Sequence, residues 1–289
     1  MAKDLIREEI TPEEVRYVTG ADEDLISEDN LKFLIRSARR NFENYLNTKF
    51  TPTEEIEIQE RHFTDGRQIN LQTEKTPVLN TYRIKIGDRD LTNFRVDKEA
   101  GVIQAYGLPD IYTNIDLGVN LGIENSIRIN YLYGYVEKDE AEKSFLTEDI
   151  EPGDEVTVKV DNVENVTTDE WVWIIGMDGN EEVCEVKTRS KSDNEFVLKK
   201  VTRSHEKGSL IYRVRVSEAI RSLILYEVAT RVSIEATGGT YTFNTTYSLG
   251  EMSVSKGVPY THWAKVYEQA KQKRDEILNN IVRPRYHIA

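Results

Sequence analysis

Hydrophobic positions along the chain change their period twice. Leu31, Leu34, Ile35, Ala38, Phe42, Tyr45 and Leu46 recur at helical spacing, while Lys32, Arg36, Arg39, Arg40 and Glu43 occupy the opposite face. That pattern predicts an amphipathic helix of about five turns. Ahead of it, Thr11-Pro12-Glu13-Glu14 carries the signature of a capping box with proline in the first turn, and Gly20 suits the end of a short helix. Residues 21–30 form an acidic connector that ends in N-cap candidates.

From residue 54 to 136 the period falls to two. Ile56-Glu57-Ile58, Tyr82-Arg83-Ile84-Lys85-Ile86, Val102-Ile103-Gln104-Ala105-Tyr106 and Ile127-Arg128-Ile129-Asn130-Tyr131 read as strands. Turn residues at Asp65-Gly66, Gly87-Asp88 and Gly107-Leu108-Pro109 punctuate them, which predicts a small, mostly antiparallel sheet packed on the helices. Residues 137–144 are almost all charged and read as a linker. Five short runs follow within 145–213: Glu155–Val160, Trp171–Ile175, Glu182–Val186, Phe196–Leu198 and Leu210–Val214. They are enough for a small SH3-like barrel inserted into a host domain.

Helical spacing then returns. Ala219, Ile220, Leu223, Ile224, Val228 and Val232 make one stripe, and Trp263, Val266, Tyr267, Ala270, Ile277, Leu278 and Ile281 make another. Pro284 ends the second, since proline cannot continue the hydrogen-bond ladder. The expected fold class is therefore α+β: a helical bundle core with an antiparallel sheet and an inserted small SH3-like β-barrel. The expected domains are residues 1–144 together with 214–289, and the module 145–213.

Composition narrows the classes of function. The 289 residues carry 51 acidic against 38 basic side chains, a net charge of −13. Such a balance argues against gripping duplex DNA by neutralising its phosphates, and suits a surface past which DNA slides. No apolar run approaches the roughly 20 residues of a membrane helix, so no membrane partner is expected, and Met1-Ala2-Lys3-Asp4-Leu5 opens no signal-peptide core. The single cysteine, Cys184, excludes an intrachain disulfide framework and a cysteine-based zinc site.

Catalytic chemistry does not assemble. His62, His205, His262 and His287 are scattered without metal-ligand spacing, and Cys184 sits in a strand pattern as a small hydrophobe. The acidic loop Asp178-Gly179-Asn180-Glu181-Glu182 lacks the calcium-loop alternation and reads as a hairpin turn. No enzyme, cofactor or metal is expected. Trp171 and Trp173 share one face of a strand, which leaves a glycan-binding module as an alternative reading. The C-terminal stretch is the clearest anomaly: residues 259–289 hold six Lys/Arg against three acids. Its end, Arg283-Pro284-Arg285-Tyr286-His287-Ile288, combines cations with apolar anchors and is the candidate partner-binding tail.

Three passages resemble the head–tail connector (adaptor) proteins of tailed phages and related viruses. They are Ile10-Thr11-Pro12-Glu13-Glu14-Val15 leading through the acidic connector into Ile35–Leu46; Ile127–Tyr135 with its Tyr133-Gly134-Tyr135 end; and Tyr247-Ser248-Leu249-Gly250-Glu251-Met252-Ser253-Val254-Ser255 between the last two helices. The resemblance implies a structural virion neck protein, located at the head–tail junction and assembled in the host cytoplasm. It implies a homo-oligomeric ring, a dodecamer, that docks under the portal protein, extends the DNA channel without specific DNA binding, and offers a platform for a stopper or tail-completion protein. It also places the tail 282–289, with Arg283–Ile288, in the portal's clip region. The alternative within the same assembly is a stopper or tail-completion protein. The module at 145–213 interrupts the compact form of the family.

Overall fold

The computed structural model describes residues 10–60, 68–86, 89–106, 126–162, 164, 166–237, 246–249, 252–255 and 258–282. The turns expected at Asp65-Gly66, Gly87-Asp88 and Gly107–Pro109 lie outside the described residues, as do His62, His287 and the tail 283–289. Packing divides the chain into two compact units, one built on residues 47–216 and the other on 8–46 with 217–289.

Every regular element described in the first unit is a strand. Its strands are β1 (Thr53–Glu60), β2 (Gln68–Gln72), β3 (Val78–Ile86), β4 (Arg89–Asp90), β5 (Phe94–Asp97), β6 (Val102–Tyr106), β7 (Ser126–Tyr133), β8 (Val136–Phe145), β9 (Gly153–Lys159), β10 (Trp171–Ile175), β11 (Glu181–Ser190), β12 (Glu195–Val201) and β13 (Leu210–Val216). A four-stranded sheet, β1-β7-β3-β4, and a three-stranded sheet, β2-β6-β5, share one core. That core holds Ile84, Ile127, Ile129 and Tyr131 from the first sheet and Leu71 and Ile103 from the second. Alternate residues of each strand face inward, as the pleat dictates.

A third sheet, β8-β13-β10-β11-β12-β9, has six strands. Its two outer strands meet through a bridge between Leu146 and Val160, so the sheet closes on itself around Val158, Val172, Ile174, Cys184, Val186, Phe196, Leu198 and Ile211. Residues 137–144, expected as a linker, belong to β8. Their charges find partners across the sheet: Lys138 on Glu181 at 2.7 Å, Asp139 on Arg213 at 2.7 Å and Glu137 on Arg215 at 2.7 Å. The domain boundaries read from the sequence, 144/145 and 213/214, fall within β8 and β13.

The second unit carries α1 (Pro12–Thr19), α2 (Glu28–Leu46), α3 (Glu218–Ala236), the hairpin of β14 (Thr246–Leu249) with β15 (Met252–Ser255), and α4 (Val258–Val282). The capping box forms: Glu14 N donates to Thr11 Oγ1 at 3.2 Å and Thr11 N to Glu14 Oε2 at 2.8 Å. Gly20 ends α1 at φ 72°, a left-handed position where glycine costs least. α3 packs against α1, α2 and α4, which suits its broad apolar surface, and its buried Thr230 and Ser233 hydroxyls donate one turn back, to Tyr226 O and Ala229 O.

The expected fold class is overturned. The protein is mostly sheet, with four helices among the described residues and no helical bundle core. The strand segments are not peripheral to a helical core. Their Ile, Val, Leu and Tyr side chains close two large cores of their own, from which the helices are absent.

Candidate functional site

Two features of the described residues stand out as places where chemistry or a partner can be accommodated. The first lies in the helical unit. Tyr17 on α1 is 92% exposed, and Phe33 and Tyr45 on α2 are 67% and 66% exposed. Spacing places Tyr45 on the apolar stripe of α2, yet the helix turns it outward beside its buried neighbours Phe42, Glu43 and Leu46. The stripe of α4 is only half-covered: Trp263, Val266, Tyr267, Ile277 and Leu278 are half-buried, while Ala270 and Ile281 are buried. Around these residues the cations are mostly matched. Arg221 pairs with Glu14, and Glu227 receives both Arg231 at 2.8 Å and Arg274 at 2.9 Å. His262, one of the scattered histidines, donates from Nε2 to Thr19 O at 3.1 Å beside Gly20.

The second feature is a cleft of about 590 Å³ in the sheet unit. It exists because a hairpin splits. β3 and β4 pair at Lys85–Asp90 and Ile86–Arg89, and Leu91 N still donates to Ile84 O at 2.8 Å. Beyond Leu91 the chain leaves β3 and pairs with β6 instead, from Phe94–Ala105 to Asp97–Val102. It returns only where Val78 N donates to Lys98 O at 2.7 Å. Between those two pins, β3 and β5 form opposite walls, and the turn before β11 with Thr202 and Arg203 forms a third. Asn80 clamps β11 to β3, donating from Nδ2 to Val183 O at 2.7 Å and accepting from Val183 N at 3.0 Å.

Charge in this cleft is unevenly matched. Glu181 accepts from Lys138 Nζ and, at 3.2 Å, from Trp173 Nε1. Glu182 is 1% exposed; it accepts from His205 Nε2 at 2.6 Å, from Thr202 N at 2.9 Å and from Thr202 Oγ1 at 2.8 Å. Both acids are thus engaged. Lys98, by contrast, has no ion pair among the described residues; its Nζ lies 5.8 Å from the centre of the Trp173 ring. Burial holds its ammonium below the usual lysine range, and Arg203 and Lys138 push the same way against Glu181. Arg203 donates to the neutral Oδ1 of Asn180 at 2.9 Å.

Behind the cleft His205 is itself 2% exposed, and its Nδ1 is buried without a partner. A Cβ at Gly176 would come within 3.2 Å of that nitrogen and 2.6 Å of Asp178 Oδ1, so any larger residue there would press on the ring and displace the Asp178 carboxylate. The Asp178 loop is the hairpin turn into β11, with Gly176 N donating to Asn180 O at 2.8 Å and Gly179 at φ +81°. Among the described residues no group of three His, Cys, Asp or Glu side chains is placed to hold a metal ion. Cys184 is 1% exposed, and burial raises its thiol well above the usual range, which makes it a poor nucleophile.

Trp171 and Trp173 share a face, but it is not open. Both are half-buried and pack against the cluster of Leu79, Leu132 and Val183 with Tyr82. The tail Arg283, Pro284, Arg285, Tyr286, His287 and Ile288 lies outside the described residues. Lys98, Arg203 and the Glu182–His205 pair went unnoticed in the sequence. A signal did exist for Glu182, which shares strand parity with the apolar Cys184 and Val186 and so had to face inward.

No family model, no curated protein and no solved structure matches the chain. No helix among the described residues is long and apolar enough to cross a membrane.

Proposed function

We propose that the protein is a structural component of a virus particle's neck: a ring-forming head–tail adaptor that docks on the portal, extends the DNA channel and carries the stopper or tail. The observation that carries this reading is apolar surface left uncovered on the helices where two of the three resembling passages lie or abut. Tyr17, Phe33 and Tyr45 are exposed, and the α4 stripe is half-covered. Aromatic side chains left in water at that exposure are the usual mark of a surface completed by neighbours. Identical subunits in a ring multiply a weak contact of this kind. The acidic balance of −13 agrees with a channel wall to which DNA does not adhere.

The test is native mass spectrometry of the chain, alone and mixed with portal rings from the same virus. Twelve copies adding to a twelvefold portal is the expected result. Deletion of residues 282–289 should abolish that binding while the remainder melts normally. A folded chain that ignores the portal overturns the adaptor reading, and affinity for a tail tube in its place would turn it into a stopper.

A further inference from the structure

The split hairpin leaves two strand edges without partners among the described residues. β5 is the outermost strand of its sheet, and β4 covers β3 only at Lys85 and Ile86. Among the described residues, 79–83 of β3 and 94–97 of β5 therefore each present one side without a strand neighbour, and both border the cleft. Free edges of this kind are where extended peptides add to sheets, through main-chain hydrogen bonds with side-chain pockets for specificity. The lining fits such a guest. Val78, Leu79, Phe94 and Val96 supply apolar wall, and Arg95, Lys98 and Arg203 supply positive charge.

We propose that this cleft is a docking slot for an extended peptide segment of a partner protein in which acidic side chains alternate with apolar ones. Charge decides the chemistry of the guest. The two carboxylates on the wall are consumed by Lys138 and by His205 with Thr202, so the charge left over is that of Lys98, Arg203 and Arg95. An ammonium held partly out of water beside an indole ring and without a carboxylate destabilises the fold that keeps it. A carboxylate delivered by the partner removes that cost, so association and relief of the lysine coincide. Alternation in the guest follows from strand geometry: one set of its side chains meets the apolar wall, and the other meets the cations.

The experiment uses the full chain and an end-blocked, fluorescein-labelled Val-Glu-Val-Asp-Val peptide, with Val-Lys-Val-Lys-Val as control, read by fluorescence anisotropy. Saturable binding of the acidic peptide alone is expected, weakening as salt rises. Lys98→Met should weaken it about tenfold or more, the loss of one charge-assisted contact. Arg203→Ala, an exposed position whose replacement leaves the fold untouched, should weaken it about threefold. Circular dichroism of both variants establishes that they are folded. The proposal is overturned if the wild type does not bind, if the lysine peptide binds equally, or if folded Lys98→Met and Arg203→Ala both bind as the wild type does. It stands independently of ring assembly, since a monomer that never meets a portal can still be titrated.

Discussion

The six-stranded sheet and the two-layer sandwich beside it in the chain handle strand edges in opposite ways. The six-stranded sheet joins the adjacent ends of its outer strands, through the Leu146–Val160 bridge and Thr147 N donating to Lys159 O at 3.0 Å. The sandwich keeps open edges. β1 ends one sheet with Ile56 and Ile58 at 60% and 59% exposure, and β5 ends the other over the cleft. Each region also buries an acid. Inside the closed sheet Glu182 is enclosed with His205; in the sandwich Glu57, at the open edge, accepts from Tyr131 Oη at 3.1 Å and Glu74 N at 2.9 Å. Closure thus goes with a fully sequestered charge, and openness with one held by neutral donors near the rim. A closed sheet has done all its pairing within itself, whereas an open sandwich retains edges for something else to use.

The sharpest way to break this comparison is to remove each acid. Glu182→Ala strands the buried His205 ring and both Thr202 donors, and should cost about 3 kcal/mol or more, roughly 1 kcal/mol or more for each donor left without its acceptor. Glu57→Ala removes an acceptor only from neutral donors beside an edge, and should cost about 1–3 kcal/mol. Urea unfolding followed by circular dichroism measures both. A larger loss for Glu57 than for Glu182 would mean that closure is not what seals the charge.

These two acids also show how far the sequence could be read. Period-two alternation was enough to locate most of the strands, because apolar inward and polar outward positions repeat in β7, β10 and β13. In β1 the same rule misleads. Ile56 and Ile58 flank Glu57, and alternation alone sends the isoleucines inward, yet the strand is turned so that Glu57 meets Tyr131. A hydroxyl contributed 74 residues away decides the orientation, and nothing local announces it. β8 was hidden for a related reason: its charges are neutralised by Glu181, Arg213 and Arg215, all distant in sequence. The cleft was illegible because it depends on where a hairpin stops pairing. Helix ends, by contrast, rest on contacts within four residues, so Thr11, Pro12, Glu14 and Gly20 could be placed directly.

A second break point is Gly134, where the chain passes from the sandwich strand β7 into β8. A Cβ there would lie 2.7 Å from Thr51 O, a backbone atom that cannot rotate aside. Gly134→Ala should therefore cost about 1–3 kcal/mol, the usual penalty of forcing atoms into filled space. Gly179→Ala is the matched control: its Cβ would meet nothing within 4 Å, and only its left-handed φ of +81° resists, worth about 1 kcal/mol. Equal losses at the two sites would show that the joint between the sheets has room to yield.

The smallest effect tests closure itself. Asp161 follows β9 and ties it to the end of β8: its Oδ1 accepts from Ser144 Oγ at 2.6 Å and Phe145 N at 2.7 Å, while Asp161 N donates to Phe145 O at 3.1 Å. Burial alone would raise this carboxyl, but the hydrogen bonds from Ser144, Phe145 and Asn162 outweigh it and hold it below the usual aspartate range. A folded-state pKa lower than the unfolded one contributes stability that is fully present above the unfolded value. That contribution is lost as pH falls through the folded value, because the unfolded chain takes up the proton first. Asp161→Ala should therefore cost about 1 kcal/mol at neutral pH, a modest figure because the group is largely exposed. The gap between variant and wild type should narrow below pH 4 and vanish where both carboxyl states are protonated. Hydrogen exchange at Phe145 localises the effect: faster exchange there, with β10 and β11 unchanged, means that the seam opens while the sheet survives. A gap that stays constant with pH would assign the loss to packing and leave the Leu146–Val160 bridge to hold the sheet closed alone.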